Sequence, residues 1–209
     1  ASHKPVTVTT AGRTCSSTVP FRVTFAGGGA LDANSFTYKM DLACGKAPQS
    51  LLSVDFDGDG KADIATANTG ENTITLIKNT SSPGNLAFAP GAQIAAGSKP
   101  YFLATGDLDG DGKQDLVAFN QAEGNYTGSI FRNTSTAGVI SFGDRQPITT
   151  NFHPTGIAIV DMSGDGKPEV VILNTNTRIN GHSIATVLLN NSLPGSISFI
   201  DLTPYFITD

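Results

Sequence analysis

Three apolar segments of the chain are the clearest indicators of its structure. They are residues 62–68, 114–120 and 168–174, and each is rich in Val, Ile, Leu or Ala. None has a polar face at 3.6-residue spacing, as a surface helix would, so each predicts a short buried strand. A polar, glycine-rich turn precedes every one of them. The chain is therefore predicted to be all-β.

These segments belong to a repeat whose turns are spaced by 52 and then 54 residues. A proline stands seven residues before each turn, and an asparagine ends each apolar segment. The second unit predicts four strands, at residues 101–106, 114–120, 129–133 and 140–148. A four-stranded unit cannot bury both of its faces alone, so we expect neighbouring units to stack as the blades of a β-propeller.

The two ends of the chain carry partial copies of the repeat. Strands are predicted at residues 5–10, 19–25 and 35–42, so residues 1–50 form a degenerate N-terminal blade or extended segment. Residues 51–209 hold three full repeats, at about 48–99, 100–153 and 154–209, and the whole is expected to be one structural domain. Residues 203–208 resemble the strand at 99–104. This tail is expected to close a four-blade ring or to complete an open arc with a neighbouring molecule.

The turns that precede the apolar segments are acidic and share one pattern. Carboxylates stand at positions 1, 3, 5 and 9, and glycines at positions 4 and 6 allow backbone angles that a Cβ would hinder. Such carboxylates repel one another unless a cation lies between them. Oxygen ligands on a flexible turn suit Ca²⁺ better than Mg²⁺, so about three Ca²⁺ ions are predicted. The carboxylates are Asp55, Asp57, Asp59 and Asp63, then Asp107, Asp109, Asp111 and Asp115, and finally Asp161, Asp165 and Glu169.

Two further positions complete these predicted metal sites. Position 7 is Lys61, Lys113 or Lys167, and we expect its backbone carbonyl to bind the ion while its side chain points to water. Ser163 replaces the aspartate at position 3 of the third turn, which predicts weaker binding there. An EF-hand is excluded, since position 12 is never Glu and no helix flanks the turns. A merely solvated acidic turn is the alternative, and three copies in one frame disfavour it.

Composition and charge agree with a secreted metal-binding protein. Only 15% of the residues are charged, and the net charge is −5. Since 11 of the 18 acidic residues lie in the three turns, three bound Ca²⁺ would bring the net charge to about +1. No basic run indicates nucleic-acid binding. No apolar stretch approaches 18 residues, so no membrane span is predicted.

Cysteine and asparagine positions give two secondary predictions. Cys15 and Cys44 are expected to form a disulfide, as suits an extracellular Ca²⁺-binding protein, and two buried thiols are the alternative. Four asparagines lie in Asn-x-Ser/Thr sequons and are possible glycosylation sites. Three of them share one repeat position, where a strand-end turn explains the asparagine equally well. The four are Asn79, Asn125, Asn133 and Asn190.

Taken together, these motifs resemble the FG-GAP/VCBS repeats over roughly residues 36–200. The resemblance rests on a proline seven residues before the turn, the Asp-x-Asp-Gly-Asp-Gly-Lys-x-Asp turn itself, an apolar strand ending in Asn and a later Asn-Thr strand. It implies Ca²⁺-bearing propeller blades like those of integrin α-chains and of secreted bacterial proteins. The turn carboxylates named above would then bind Ca²⁺. The chain departs from the family in holding three full units, where seven blades are usual.

The sequence favours a non-catalytic structural or adhesive protein that is secreted or lies at the cell surface. One version is a self-assembling subunit of a filament, in which residues 1–10 or the tail pair with a neighbour by strand exchange. The alternative is a carbohydrate- or protein-binding propeller module of a larger secreted protein, although the chain has no Trp for a sugar platform. Catalysis is disfavoured because His3, His153 and His182 share no motif. The expected partners are therefore the chain itself or an extracellular protein or glycan.

Overall fold

A computed structural model of the chain describes residues 7–10, 13–16, 39–121, 127–149, 153–175, 183–201 and 205–206. The chain divides into two compact units, Ala1–Leu42 and Ala43–Asp209. In the first unit, β1 (Thr7–Thr10) and β2 (Arg13–Ser16) form an antiparallel hairpin, and β1 lies within the strand predicted at 5–10. The strand predicted at 19–25 lies outside the described residues. Residues 39–42, the described end of the strand predicted at 35–42, are not in a strand.

The second unit contains three antiparallel sheets whose strands follow in chain order. The first sheet is β3 (Pro48–Val54), β4 (Asp63–Asn68), β5 (Thr73–Ile77) and β6 (Ala92–Ala95). The second is β7 (Pro100–Gly106), β8 (Asp115–Asn120), β9 (Thr127–Phe131) and β10 (Gln146–Thr149). The third is β11 (His153–Val160), β12 (Glu169–Thr175), β13 (Ser183–Asn190) and β14 (Phe199–Asp201). The predicted all-β class is confirmed, whereas no closed ring is found among the described strands.

Strand β8 shows how the sheets stack. Leu116 and Ala118 face the first sheet, and Val117 and Phe119 face the third, and all four side chains are fully buried. A strand that is covered on both faces needs apolar residues at every position, which explains its unbroken apolar sequence. The second sheet therefore lies between the other two, with one apolar core on each of its faces. The described part of the chain contains no helix that could span a membrane.

The fourth strand of the second repeat is shorter than predicted. The prediction of one strand over residues 140–148 is wrong, because Asn133 pairs with Phe142, and Thr136 with Val139, in a small hairpin outside the sheet. Gly138 closes this hairpin at a φ of 86°. Only β10 then returns to the sheet edge. The hairpin serves packing, since the Phe142 ring lies edge-on against Phe56 with centroids 5.4 Å apart.

The C-terminal tail also differs from the prediction. Strand β15 (Tyr205–Phe206) pairs with Ala185 and Ile184 of β13, in its own sheet. The physical reason is that β14 covers only the last three residues of β13, at Leu188–Asn190, and leaves an open edge beside it. An open edge favours pairing with any nearby extended segment. The described part of the tail therefore completes the third sheet rather than another blade.

Candidate functional site

The first acidic turn connects β3 to β4 and is built around Asp55. Its Oδ1 accepts hydrogen bonds from the backbone N–H of Gly58 at 2.8 Å and of Asp59 at 3.2 Å, and its Oδ2 accepts one from Gly60 at 2.8 Å. Gly58 and Gly60 have φ angles of 72° and 83°. These left-handed angles turn the chain tightly around the carboxylate, which is why the turn needs glycine there. The sequence pattern therefore encodes a folded loop and not merely an acidic one.

Three carboxylates converge in this first turn. Asp55, Asp57 and Asp63 each offer an oxygen, and these oxygens lie within 4.8 Å of one another. Asp63 is fully buried and accepts hydrogen bonds from the backbone N–H of Phe56 at 3.0 Å and of Asn79 at 2.8 Å. These bonds tie the turn to the end of β5. Burial raises the pKa of Asp63 above its usual range, and the nearby Asp57 adds to this rise.

The second turn, between β7 and β8, has the same geometry. Asp107, Asp109 and Asp115 form the second group whose oxygens lie within 4.8 Å of one another. Asp115 is fully buried and accepts hydrogen bonds from Leu108 N at 2.9 Å and Asn133 N at 2.7 Å. Burial raises the pKa of Asp115 to about 6, and the carboxylates of Asp109 and Asp111 contribute to the rise. The second turn therefore concentrates negative charge on carboxylates that are buried from solvent.

A basic side chain lies against each of these two turns, and the sequence analysis missed it. Lys78 Nζ donates to Asp57 and to Asp59, and Arg132 donates from Nε to Asp109 at 2.6 Å. The Nη2 group of Arg132 donates a second hydrogen bond, to Asp111 Oδ2 at 2.7 Å. The hydrogen bond from Lys78 lowers the pKa of Asp59 against a weaker effect of burial. The signal was present in the sequence, because each cation directly precedes the recurring asparagine.

The third turn, between β11 and β12, is built differently. Asp161 accepts hydrogen bonds from Gly164 N at 2.7 Å and Gly166 N at 2.9 Å, as in the other turns. Glu169 Oε2 accepts one from Met162 N at 2.7 Å. The predicted ligands of this turn do not form a convergent three-carboxylate group among the described residues. Leu189 stands where the other repeats have Lys78 or Arg132, so the third turn lacks both an aspartate and its cation.

Comparison with known protein families identifies the repeat. A family model described as FG-GAP-like repeat matches residues 55–118 and 108–172, which together span more than half of the chain. The chain belongs to the FG-GAP-like repeat family. Each match begins in one acidic turn and ends in the apolar strand that follows the next turn, at β8 and at β12 respectively. No curated protein matches the chain at a significant level. FG-GAP repeats typically occur in extracellular or surface proteins, where they act as adhesive or binding modules and are generally non-catalytic.

The residues of the FG-GAP turns fit a hard divalent cation. Their ligands are all oxygens, and Asp57, Asp63, Asp109 and Asp115 are buried, which suits an ion held within the fold. The single positive charge of Lys78 in the first turn, or of Arg132 in the second, offsets only one of the four negative charges that the turn carries. At neutral pH, each turn therefore keeps an excess of negative charge that a Ca²⁺ ion would neutralise. FG-GAP repeats often bind Ca²⁺, and these two turns could hold it.

The lysines at position 7 behave differently from one another. Lys61 Nζ lies 3.7 Å from Asp59 Oδ2, with its side chain 41% exposed. Lys167 Nζ donates to the backbone carbonyl of Ser192 at 2.9 Å. The prediction that this side chain points only to water is therefore wrong for Lys167. The reason is that the hairpin of the third repeat brings a free carbonyl oxygen within its reach.

The recurring asparagines link neighbouring FG-GAP repeats. Asn133 Nδ2 donates to Phe56 O of the preceding repeat at 2.9 Å, and Asn190 Nδ2 donates to Leu108 O at 2.8 Å. Both side chains are buried. A glycan on either nitrogen would remove this bond, so the structure favours the strand-end explanation of these two sequons over glycosylation. Asn79 is half-buried, and Asn125 lies outside the described residues, so glycosylation there stays a prediction.

The predicted disulfide is not found. Cys44 is exposed and carries a free thiol in the structure. The side chain of Cys15 lies outside the described residues, so the pairing of the two stays a prediction.

Proposed function

We propose that this chain is a non-catalytic, extracellular structural or adhesive protein whose acidic turns are stiffened by bound Ca²⁺. The single observation that carries the proposal is the convergence of Asp107, Asp109 and Asp115 within 4.8 Å, repeated one unit earlier. Each of these carboxylates is also hydrogen-bonded to the backbone of its own repeat. An ion bound to them would connect the turn, the start of β8 and the end of β9.

Such an ion would replace packing that the turns themselves cannot provide. The glycines of the turns have nothing within 4 Å of the place of a side chain, so the turns are not held by side-chain packing there. A ligand that binds only the folded state stabilises it by mass action, by about 1.4 kcal/mol for each site at ten times its dissociation constant. Extracellular Ca²⁺ sites bind in the range of roughly 10⁻⁴ to 10⁻³ M, which matches the millimolar Ca²⁺ outside cells. The fold would then be most rigid at the Ca²⁺ concentration found outside cells, where an adhesive or structural protein acts.

The direct test is calorimetric titration of the metal-free chain with Ca²⁺ and with Mg²⁺, together with thermal melts in Ca²⁺ and in chelator. We expect Ca²⁺ to bind more tightly than Mg²⁺ and to raise the melting temperature. Asp109→Asn should weaken binding at the second turn. Asp144→Asn is the matched control, since Asp144 is exposed and lies outside the turns, and it should leave binding unchanged. Melts that are identical with and without Ca²⁺ would contradict the proposal.

The turns are further expected to differ in affinity. Asp109→Ala should reduce the stabilisation by Ca²⁺ more than Ser163→Ala, because the third turn already lacks a convergent carboxylate group among the described residues. The reverse order would make the third turn the principal site. The three turns then give a stoichiometry of two tight ions, with a third that binds more weakly.

A further inference from the structure

The three acidic turns have the same net charge once the residue before the recurring asparagine is counted with them. Each of the first two turns has four carboxylates and one cation, Lys78 or Arg132, which leaves a charge of −3. The third turn has three carboxylates and no such cation, because Ser163 replaces the aspartate and Leu189 the cation, and its charge is also −3. The lysine at position 7 is common to all three. The cation is therefore present only where position 3 is a carboxylate.

Each cation contacts the same two positions of its turn. Lys78 Nζ donates to Asp57 Oδ2 at position 3 and, at 2.9 Å, to Asp59 Oδ2 at position 5. Arg132 makes the corresponding pair of bonds to positions 3 and 5 of the second turn. An ammonium and a guanidinium group differ in shape, yet both reach the same pair of carboxylates. The contact is therefore a feature of the repeat and not of one long side chain.

The carboxylate at position 5 pairs with the cation and lies outside the convergent group. The oxygens within 4.8 Å of one another come from positions 1, 3 and 9 of each turn. Asp59 Oδ1 accepts a hydrogen bond from Lys61 N at 3.0 Å, and its Oδ2 accepts the bond from Lys78. Its side chain is 17% exposed, whereas that of Asp57 is fully buried. Lys78 thus competes with any other cation for a carboxylate that the sequence assigns to the metal site.

A cation that belongs to the chain differs from a bound ion in one respect. It is present at every Ca²⁺ concentration, whereas a bound ion is lost when free Ca²⁺ falls. The ion pair with Lys78 or Arg132 therefore reduces the repulsion between the carboxylates when no ion is bound. The same positive charge opposes the binding of a second cation, because the affinity of an oxygen site for Ca²⁺ depends on the charge of its ligands.

We propose that Lys78 and Arg132 are built-in counter-cations, each of which stabilises its acidic turn without Ca²⁺ and lowers the affinity of that turn for Ca²⁺. The inference rests on the proposed function and assigns the regulation of its metal sites to two residues outside the turns. In the third turn, Ser163 has already removed one negative charge, which explains why Leu189 can stand in place of the cation. The result is a fold that binds Ca²⁺ less tightly but depends on it less.

The experiment combines calorimetric Ca²⁺ titration with thermal melts in chelator. Lys78→Met keeps the length of the side chain and removes its charge. It should raise the Ca²⁺ affinity of the first turn about tenfold, since one nearby positive charge weakens the attraction of a divalent ion by about that factor in a water-like dielectric. In chelator, its melting temperature should fall by a few degrees below that of the wild type. Arg132→Met should have both effects at the second turn.

Three further variants separate charge from shape. Lys46→Met is the matched control, because Lys46 is 81% exposed and lies at the end of the first sheet opposite to the turn, and it should change neither measurement. Lys78→Arg should behave like the wild type, since the second repeat has Arg132 at this position. Leu189→Lys is the reciprocal variant. It places a cation beside the third turn without removing an ion pair, and it should weaken Ca²⁺ binding there.

The outcomes distinguish this inference from the proposed function. If the wild type binds Ca²⁺ and Lys78→Met binds it with unchanged affinity, the ion pair is only a structural contact and this inference alone is wrong. A lower affinity for Lys78→Met would make Lys78 a positioning residue for the ligands and would also overturn it. So would a melt in chelator that Lys78→Met leaves unchanged. A wild-type chain that binds no Ca²⁺ would overturn the proposed function and this inference together.

Discussion

Replacement of Asn133 by Ala tests how the repeats are joined. The Asn133 side chain is fully buried, and its Nδ2 donates to Phe56 O and to Gln114 O, each at 2.9 Å. Its Oδ1 accepts a hydrogen bond from Ser135 N at 2.8 Å. The substitution leaves two carbonyls and one N–H without these partners.

The expected loss follows from these three groups. An unsatisfied buried polar group costs about 1–3 kcal/mol, so Asn133→Ala should lower the free energy of unfolding by roughly 3–5 kcal/mol after partial relaxation. Asn79→Ala is the control at the same repeat position. Asn79 is half-buried and loses only its bonds to Ala62 O and from Ser81 N, both of which water can reach, so it should cost about 1 kcal/mol.

Urea denaturation in saturating Ca²⁺, followed by circular dichroism, measures both changes under the same conditions. The result that would refute the reasoning is an equal loss for the two variants. Equal losses would mean that the asparagine matters only for its own hairpin, and that the bond from Asn133 to Phe56 O adds nothing to the stacking of the sheets. A larger loss for Asn79→Ala than for Asn133→Ala would mean that Asn79 makes an additional stabilising contact with residues that the structure does not describe.

Three other outcomes are expected. Phe119→Ala should cost about 3–5 kcal/mol in urea denaturation, because Phe119 is fully buried between the second and third sheets, whereas the exposed Leu51 should tolerate Ala at less than about 1 kcal/mol. Gly110→Ala should destabilise by about 1 kcal/mol, since the φ of 74° strains any side chain although no atom blocks it. In metal-free chain, stability should fall as pH rises from about 4 to about 6, because the unfolded Asp115 ionises near 3.8 while burial holds its folded pKa at about 6. Asp115→Asn should flatten that slope, and an unchanged slope would assign it to other groups.

The strands and turns were predictable because their signals are local. Apolar segments such as residues 114–120 have no polar face, and a strand buried on both sides requires that. The Asp-x-Asp-Gly-Asp-Gly pattern sets the left-handed angles of its glycines without help from the rest of the chain. The repeat itself was visible because every copy spaces its proline, aspartates and asparagine alike. Prediction was poorer for the hairpin at residues 133–142, since a short paired segment and a longer strand share the same alternation.

The partners of individual side chains were not predictable. Lys78 and Arg132 precede the recurring asparagine, but they reach Asp57 and Asp109 only because the two middle strands of each sheet pair in the observed register. The tail offers a similar case. Residues 203–208 look like the first strand of a repeat, yet β15 pairs with β13, because the short β14 left that edge open.

The sequence by itself determined the all-β class, the repeat and the position of each acidic turn, because turn chemistry and hydrophobic periodicity act over a few residues. The tertiary structure alone decided which asparagines bridge two repeats and which carboxylates converge. Those outcomes depend on contacts between residues as far apart as Asn190 and Leu108, whose distance is set only when the sheets pack.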